Sequence, residues 1–378
     1  MWTLAKRLAR RSSLRVALLT TAPRPIMAQS LEGVALWVHV DRWRTMRREV
    51  GDAIDLTGWR LKRWDARLLW RLPLLALTRP WRPRDPSPTA ADPRLLPYRP
   101  RCWVVFGVSD DSARAIAAAQ QQGIPSLLFL QSNADLDPAM LVNEPQGHPY
   151  GESREGRLFA LRQADRIVCQ TEWQQQQLRQ RFGRRSDLVR NPIDAARWRL
   201  PKPATHLPAL WVGRFDDFHK RPGLLFELAE RCPQLSFTMV CNRFDPLVER
   251  RLRTRLPANV ELIDYVPFSQ MPGLFQQSSA FVSTGSSTHE GFPNVMLQAA
   301  ASHTPIYSLE DYDDFLHRSG AGVICATIAE MAERLTADAS QGGMSVDWGQ
   351  VDDYLATHHD EEHITDRAAE IITSLIDS

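Results

Sequence analysis

Short apolar runs alternate with stretches of helical periodicity from about residue 102 onward, and that alternation predicts buried strands joined by helices. CWVVFGV (102–108), IPSLLFLQ (124–131), RIVCQT (166–171), LWVGRF (210–215), SFTMVC (236–241), VELIDYV (260–266), AFVST (280–284), PIYSL (305–309) and GAGVICA (320–326) read as strands. Between them, residues 112–122, 155–164, 173–182, 224–231, 246–256, 272–277, 294–301 and 328–335 read as helices. Strand and helix in such alternation form a parallel, doubly wound sheet, so the fold class is α/β. Ile364, Ala368, Ile371, Ile372 and Leu375 make one apolar stripe on a last helix.

The amino-terminal third differs. RVALLTT (15–21) predicts a first strand behind a basic amphipathic arm, its apolar run being too short for the core of a secretory signal. Leu61, Trp64, Leu68, Leu72 and Leu75 fall three and four apart, flanked by Arg60, Lys62, Arg63, Arg67 and Arg71, which predicts one amphipathic helix from Trp59 to Leu75. Trp70 and Trp81 add interfacial character. Seven prolines between 80 and 100 then predict an irregular extended connection.

Charge sharpens this division. The net charge of +2 conceals 21 Lys/Arg against 8 Asp/Glu in residues 1–101, and 25 against 36 in the remainder. A basic third on an acidic chain points to an anionic surface, and without a recognisable nucleic-acid reader motif that surface reads as a membrane. No apolar run nears the roughly 20 residues that span a bilayer. Five scattered cysteines with no CxxC pair fit a reducing compartment, hence a cytoplasmic protein, peripheral on the inner membrane face.

Candidate chemistry gathers at two places. Gly213-Arg214 ends the strand LWVGRF, and Lys220 follows six residues later. Residues 284–305, TGSSTHEGFPNVMLQAAASHTP, read as a strand end, a polar glycine loop and a helix whose free N–H groups face an anion; Pro293 suits that helix's first turn. Glu290 stands just outside, placed either to hold a hydroxyl-rich ligand or to cap the helix.

With these motifs the chain resembles the family 4 glycosyltransferases, retaining enzymes of the GT-B architecture, in which two Rossmann-like doubly wound domains face a cleft. Their Glu-seven-Glu hallmark is matched in its first half by Glu290-Gly291-Phe292-Pro293-Asn294, while Gln298 stands where the second Glu belongs. The resemblance covers about residues 155–340 and implies a transfer from a nucleotide-diphosphate sugar, with no further cofactor and no metal, to a glycan, lipid-linked or small-molecule acceptor. It implies that Gly213, Arg214 and Lys220 bind the donor diphosphate, Glu290 the donor sugar, and Gly291, Phe292, Asn294, Val295 and Gln298 complete the donor site. Catalysis would rest on Arg214, Lys220 and Glu290, since fixed cations stabilise the departing diphosphate more in the transition state than before it. Asn191-Pro192 resembles the family's entry into its linker, which places an acceptor-side domain in 1–200, a donor domain in 201–345 and carboxyl-terminal helices in 346–378, the last returning to the first domain. Gln131, Ser132 and Asn133 stand where many members carry a His. A nucleotide-sugar binder with weakened turnover, motivated by Gln298, is the alternative; an epimerase relative is a third reading.

Overall fold

The computed structural model describes residues 2–11, 14–22, 30–40, 46, 49–50, 53–55, 60–61, 64–77, 87–141, 152–201 and 207–378. Two compact units result. Met1–Leu128, Gly147–Asp165 and Ala368–Ser378 form one, and Phe129–Gln146 with Arg166–Arg367 the other.

In the first unit the strand Ala17–Ala22 overlaps the predicted RVALLTT and runs parallel to Val34–Val40. The strand Trp103–Phe106 and the helix Asp110–Gln122 follow as the apolar pattern requires. Ser109 caps that helix by accepting from Ser112 N at 3.1 Å, and its alanine face is buried. One expectation changes here. Arg60–Leu61 is a strand paired with Ile54–Asp55, and the helix runs only from Leu68 to Leu77. Asp65 explains the late start, because its carboxylate accepts from Arg67 N at 2.9 Å and turns the chain before the helix. Leu68 is buried against Val50, Ala53 and Ile54, whereas Trp64, Leu69, Trp70 and Leu77 lie more than half exposed. Trp59, Lys62, Arg63, Trp81, Pro80, Pro83 and Pro86 lie outside the described residues.

The second unit is built on six parallel strands in the order Val260–Ile263, Phe237–Asn242, Ala209–Arg214, Ala280–Ser283, Ile306–Ser308 and Gly322–Ile324. Successive strand residues point to opposite faces, so Leu210 enters one apolar cluster with Phe281, Phe275 and Met296, and Trp211 the other with Phe237, Leu225 and Met331. Helices cover both faces, which is why the central strands Phe237–Asn242, Ala280–Ser283 and Ile306–Ser308 are buried almost throughout. The chain starts this sheet at Ala209–Arg214, builds outward, and then returns to its other side with Ala280–Ser283. The carboxyl ends of the strands at such a reversal are the favoured ligand position in open α/β sheets. The two loops that follow these strand ends are 215–221 and 284–293.

His359 fixes the back of the second loop. Its ring is 2% exposed, Nδ1–H donates to Asn191 O at 2.7 Å, Nε2 has no partner among the described residues, and Phe292 and Phe315 pack beside it. Burial pulls its pKa down to about 4. The unfolded chain takes up this proton near pH 6.5 while the folded one resists it, so stability should fall as pH drops from 6.5 toward 4. The loss at about 1.4 kcal/mol per unit reaches roughly 3 kcal/mol. Urea unfolding of wild type and His359→Gln at about pH 7 and about pH 4.5, either side of most of that transition, measures this as a difference in stability loss. Equal losses would remove His359 from the account.

Candidate functional site

The first loop is organised by Asp216, which the sequence reading passed over. Its carboxylate accepts from Phe218 N at 2.8 Å, His219 N at 3.1 Å, His219 Nδ1 at 3.1 Å and Arg214 Nε at 2.9 Å. Burial alone would raise this carboxyl, but the hydrogen bonds from His219 and Phe218, with the Arg214 charge, hold it well below the usual carboxylate range. The arginine is thereby aimed. Its guanidinium also lies 4.1 Å from the centre of the Phe244 ring.

The second loop is bolted to the first. Thr284 Oγ1 accepts from Trp211 Nε1 at 2.9 Å and donates to Lys220 O at 2.7 Å, while Ser286 N donates to His219 O at 2.8 Å. Arg221, also unforeseen, donates from Nε to Thr284 O at 2.6 Å and from its terminal nitrogen to Gly285 O. Arg221 holds a positive φ of 47°, a conformation that its bonds to the neighbouring loop maintain.

Across this junction Lys220 Nζ pairs with Glu290 Oε1, seventy residues away in sequence. The structure thus brings together two of the predicted residues. Glu290 Oε2 and Tyr312 Oη crowd the space above Gly285, at 2.7 and 2.5 Å from where its Cβ would stand, and neither has a well-formed hydrogen bond among the described residues. Any side chain at 285 would displace them. Burial, then the Glu290 charge, pushes the Tyr312 phenol far above its ordinary range, so it stays protonated as a donor.

The helix Asn294–Ala301 begins after Pro293, which occupies the capping position instead of the first turn, and among the described residues no side chain caps it. Capping by Glu290 is therefore not what the structure shows; the carboxylate is turned to Lys220. Gln298 is 8% exposed on this helix, and its Oε1 lacks a partner among the described residues. Asn294 is exposed and Val295 half-buried. The Phe292 ring is buried against Phe315 and its carbonyl accepts from Asn191 Nδ2 at 3.0 Å, so this residue anchors the loop. Gly291 is needed for close approach, because a Cβ there would stand 2.8 Å from Gln131 O.

Ser132 and Asn133, read in sequence only as the place of a missing His, clasp this loop. Ser132 Oγ donates to His289 O and Asn133 Nδ2 to Ser287 O at 2.6 Å. Gln174 Nε2 in turn holds Asn133 Oδ1 at 3.1 Å.

Beyond the loop opens a cavity of about 610 Å³, lined in part by Ser287 to His289 and Gly291, by Asp137 and Glu172 to Trp173, and by Asp311 to Asp314. Arg214, Lys220, Glu290 and Gln298 do not line it.

Residues 208–337 match the sequence profile of the glycosyl transferases group 1. Among solved structures, sucrose-phosphate synthase from Thermosynechococcus elongatus is similar with a TM-score of 0.68 at 15% identity, over 99% of this chain and 92% of that one. An alpha,alpha-trehalose-phosphate synthase (UDP-forming) from Burkholderia xenovorans, solved with glucose-6-phosphate, gives 0.56 at 14% identity over 75% and 76%. A point mutant of S. aureus TarM, solved with fondaparinux, alpha-GlcNAc-glycerol and UDP, gives 0.53 at 16% identity over 73% of this chain; the chain spans 55% of the length of TarM. No curated protein sequence matches. At these identities the structures establish the fold, which is mixed α/β of the GT-B kind. The residues that match the group 1 glycosyl transferases, 208–337, carry this sheet and the two loops that hold Arg214, Lys220 and Glu290.

Proposed function

We propose that the chain transfers a hexosyl group from a nucleotide-diphosphate sugar to an acceptor hydroxyl, with retention at the anomeric carbon. The observation that carries this reading is the Lys220–Glu290 pair at the sheet's reversal, with Glu290 Oε2 and Gln298 Oε1 both buried and unused among the described residues. Buried polar atoms without partners are costly, and a donor sugar and its ribose supply hydroxyls for both. Arg214 and Lys220 take the diphosphate. In the transfer the bond from anomeric carbon to phosphate oxygen breaks, its electron pair leaves with the diphosphate, and the acceptor oxygen attacks from the same face while its proton passes to the departing phosphate. The charge that develops on that phosphate is what the two cations stabilise. Residues 1–200 take the acceptor side and 201–345 the donor, and the five unpaired cysteines support a reducing, cytoplasmic setting.

Gln298 gives the test of donor binding. A carboxylate accepts from both ribose hydroxyls with bonds about twice as strong as those of an amide, so Gln298→Glu should tighten donor binding roughly 5- to 30-fold, about 1–2 kcal/mol. Without donor the same variant should melt lower, because it buries an unpaired charge. Calorimetry with a panel of UDP-, GDP- and ADP-sugars reads both proteins; unchanged or weaker affinity in the variant would place the ribose elsewhere.

The exposed Trp64, Leu69, Trp70 and Leu77 on the basic amino-terminal third support a peripheral seat on anionic membrane, with a lipid-linked acceptor in reach. Among the described residues no helix is long and apolar enough to cross a membrane. Co-sedimentation with vesicles containing phosphatidylserine should be strong at low salt and lost in Leu69→Glu/Trp70→Glu; binding equal in the double variant would refute this seat.

A further inference from the structure

The cavity beside the donor loop is acidic, and resting on the transferase reading above, we propose that it holds the acceptor and admits an uncharged or amino-bearing sugar in preference to a phosphorylated one. Its volume of about 610 Å³ suits a mono- or disaccharide and lies within the ~300–1,000 Å³ range of small-molecule sites. Asp137, Glu172, Asp311, Asp313 and Asp314 line it, and among the described residues Arg181 is the one arginine or lysine in the lining. Not all of that charge is free. Arg190 binds Asp313 Oδ2 at 2.6 Å and also Glu172, and Asp311 accepts from the backbone N–H groups of Tyr312 at 2.8 Å and Leu316 at 3.0 Å. Arg181 is held in place by its hydrogen bond to Leu136 O at 2.8 Å. His289 adds no positive charge near neutral pH, since burial and the neighbouring His219 lower its pKa.

What remains is a wall that accepts hydrogen bonds and repels anions. Carboxylates receive sugar hydroxyls or an ammonium, and a phosphate here would face several carboxylates of like charge, with Arg181 the one cation in the described lining. Trp173, 36% exposed in the same lining, offers an indole face on which the C–H side of a sugar ring packs. Tyr312 ties this cavity to the reaction: it lines the cavity, is 3% exposed, and its Oη approaches the same space above Gly285 as Glu290 Oε2. The lining thus contrasts with the ligand of the trehalose-phosphate synthase solved with glucose-6-phosphate.

Saturation-transfer NMR on the full chain tests this with the methyl glycosides of glucose, galactose and mannose, the corresponding 2-amino sugars, and the three hexose 6-phosphates. At least one neutral or amino sugar should bind, no 6-phosphate should bind as tightly, and the signal should disappear in Trp173→Ala. Asp314→Lys should weaken the amino sugar at least threefold and improve its 6-phosphate counterpart. A 6-phosphate that binds wild type best, binding indifferent to both variants, or no sugar binding at all would each overturn the proposal. UDP, GDP and ADP titrations on the same three proteins keep the donor reading separate: nucleotide binding should persist in both variants, and its absence from wild type would count against the donor site alone.

Discussion

Lys220→Ala should lower kcat/KM for sugar transfer by about 10²–10³-fold, roughly 3–4 kcal/mol, the scale of losing one preorganised contact to a developing charge. Two losses combine in this variant. The diphosphate loses a cation, and Glu290, with its side chain only 16% exposed, loses the partner of Oε1 while Oε2 is already without one among the described residues. Lys220→Arg should recover only part of the rate, because the pair occupies a close junction in which a planar guanidinium does not replace a compact ammonium. Circular dichroism and unfolding curves should show a folded protein in both cases, since the loop is also held through Thr284, Ser286 and Arg221. Steady-state rates within threefold of wild type for a folded Lys220→Ala would take the lysine out of the chemistry.

The largest effect on stability is expected at Trp211. Its side chain is 1% exposed in the cluster with Phe237 and Leu225, and its Nε1 reaches Thr284. Trp211→Ala should cost about 3–5 kcal/mol, the transfer free energy of the ring plus the cavity it leaves. Trp211→Phe keeps most of that volume but gives up the hydrogen bond, about 1 kcal/mol. Because Thr284 Oγ1 also grips Lys220 O, the Phe variant should loosen both loops and lower activity more than its stability suggests. Urea unfolding of the two variants measures the first claim, and a loss below about 1 kcal/mol for Trp211→Ala would contradict the packing described.

The doubly wound sheet was legible because its strands are buried on both faces and leave continuous apolar runs at regular intervals. Lys220 and Glu290 were singled out through the motifs that resemble the family 4 glycosyltransferases, and the structure pairs their side chains. Asp216, Arg221 and Tyr312 left no such trace. Their roles arise from contacts across 63 or more residues for Arg221 and from a compact turn for Asp216, neither of which has a periodicity. The burial of the Phe292 ring in the core left no trace either, since it stands alone inside a motif read as a polar loop. Leucine spacing of a helical kind crosses the strand Arg60–Leu61 and the helix Leu68–Leu77; pairing with Ile54–Asp55 and the Asp65 turn outweighed it.

The most direct test of the transferase account is phosphorus NMR of nucleoside diphosphate release. The full chain is incubated with UDP-, GDP- and ADP-sugars and a mixture of candidate sugar acceptors, beside a folded Glu290→Gln protein. The account predicts that wild type releases diphosphate from at least one donor in step with a new glycosidic anomeric signal, and that Glu290→Gln does so at least a hundredfold more slowly. Equal release by the two proteins, or a wild type that neither binds nor consumes any of these donors, would contradict it.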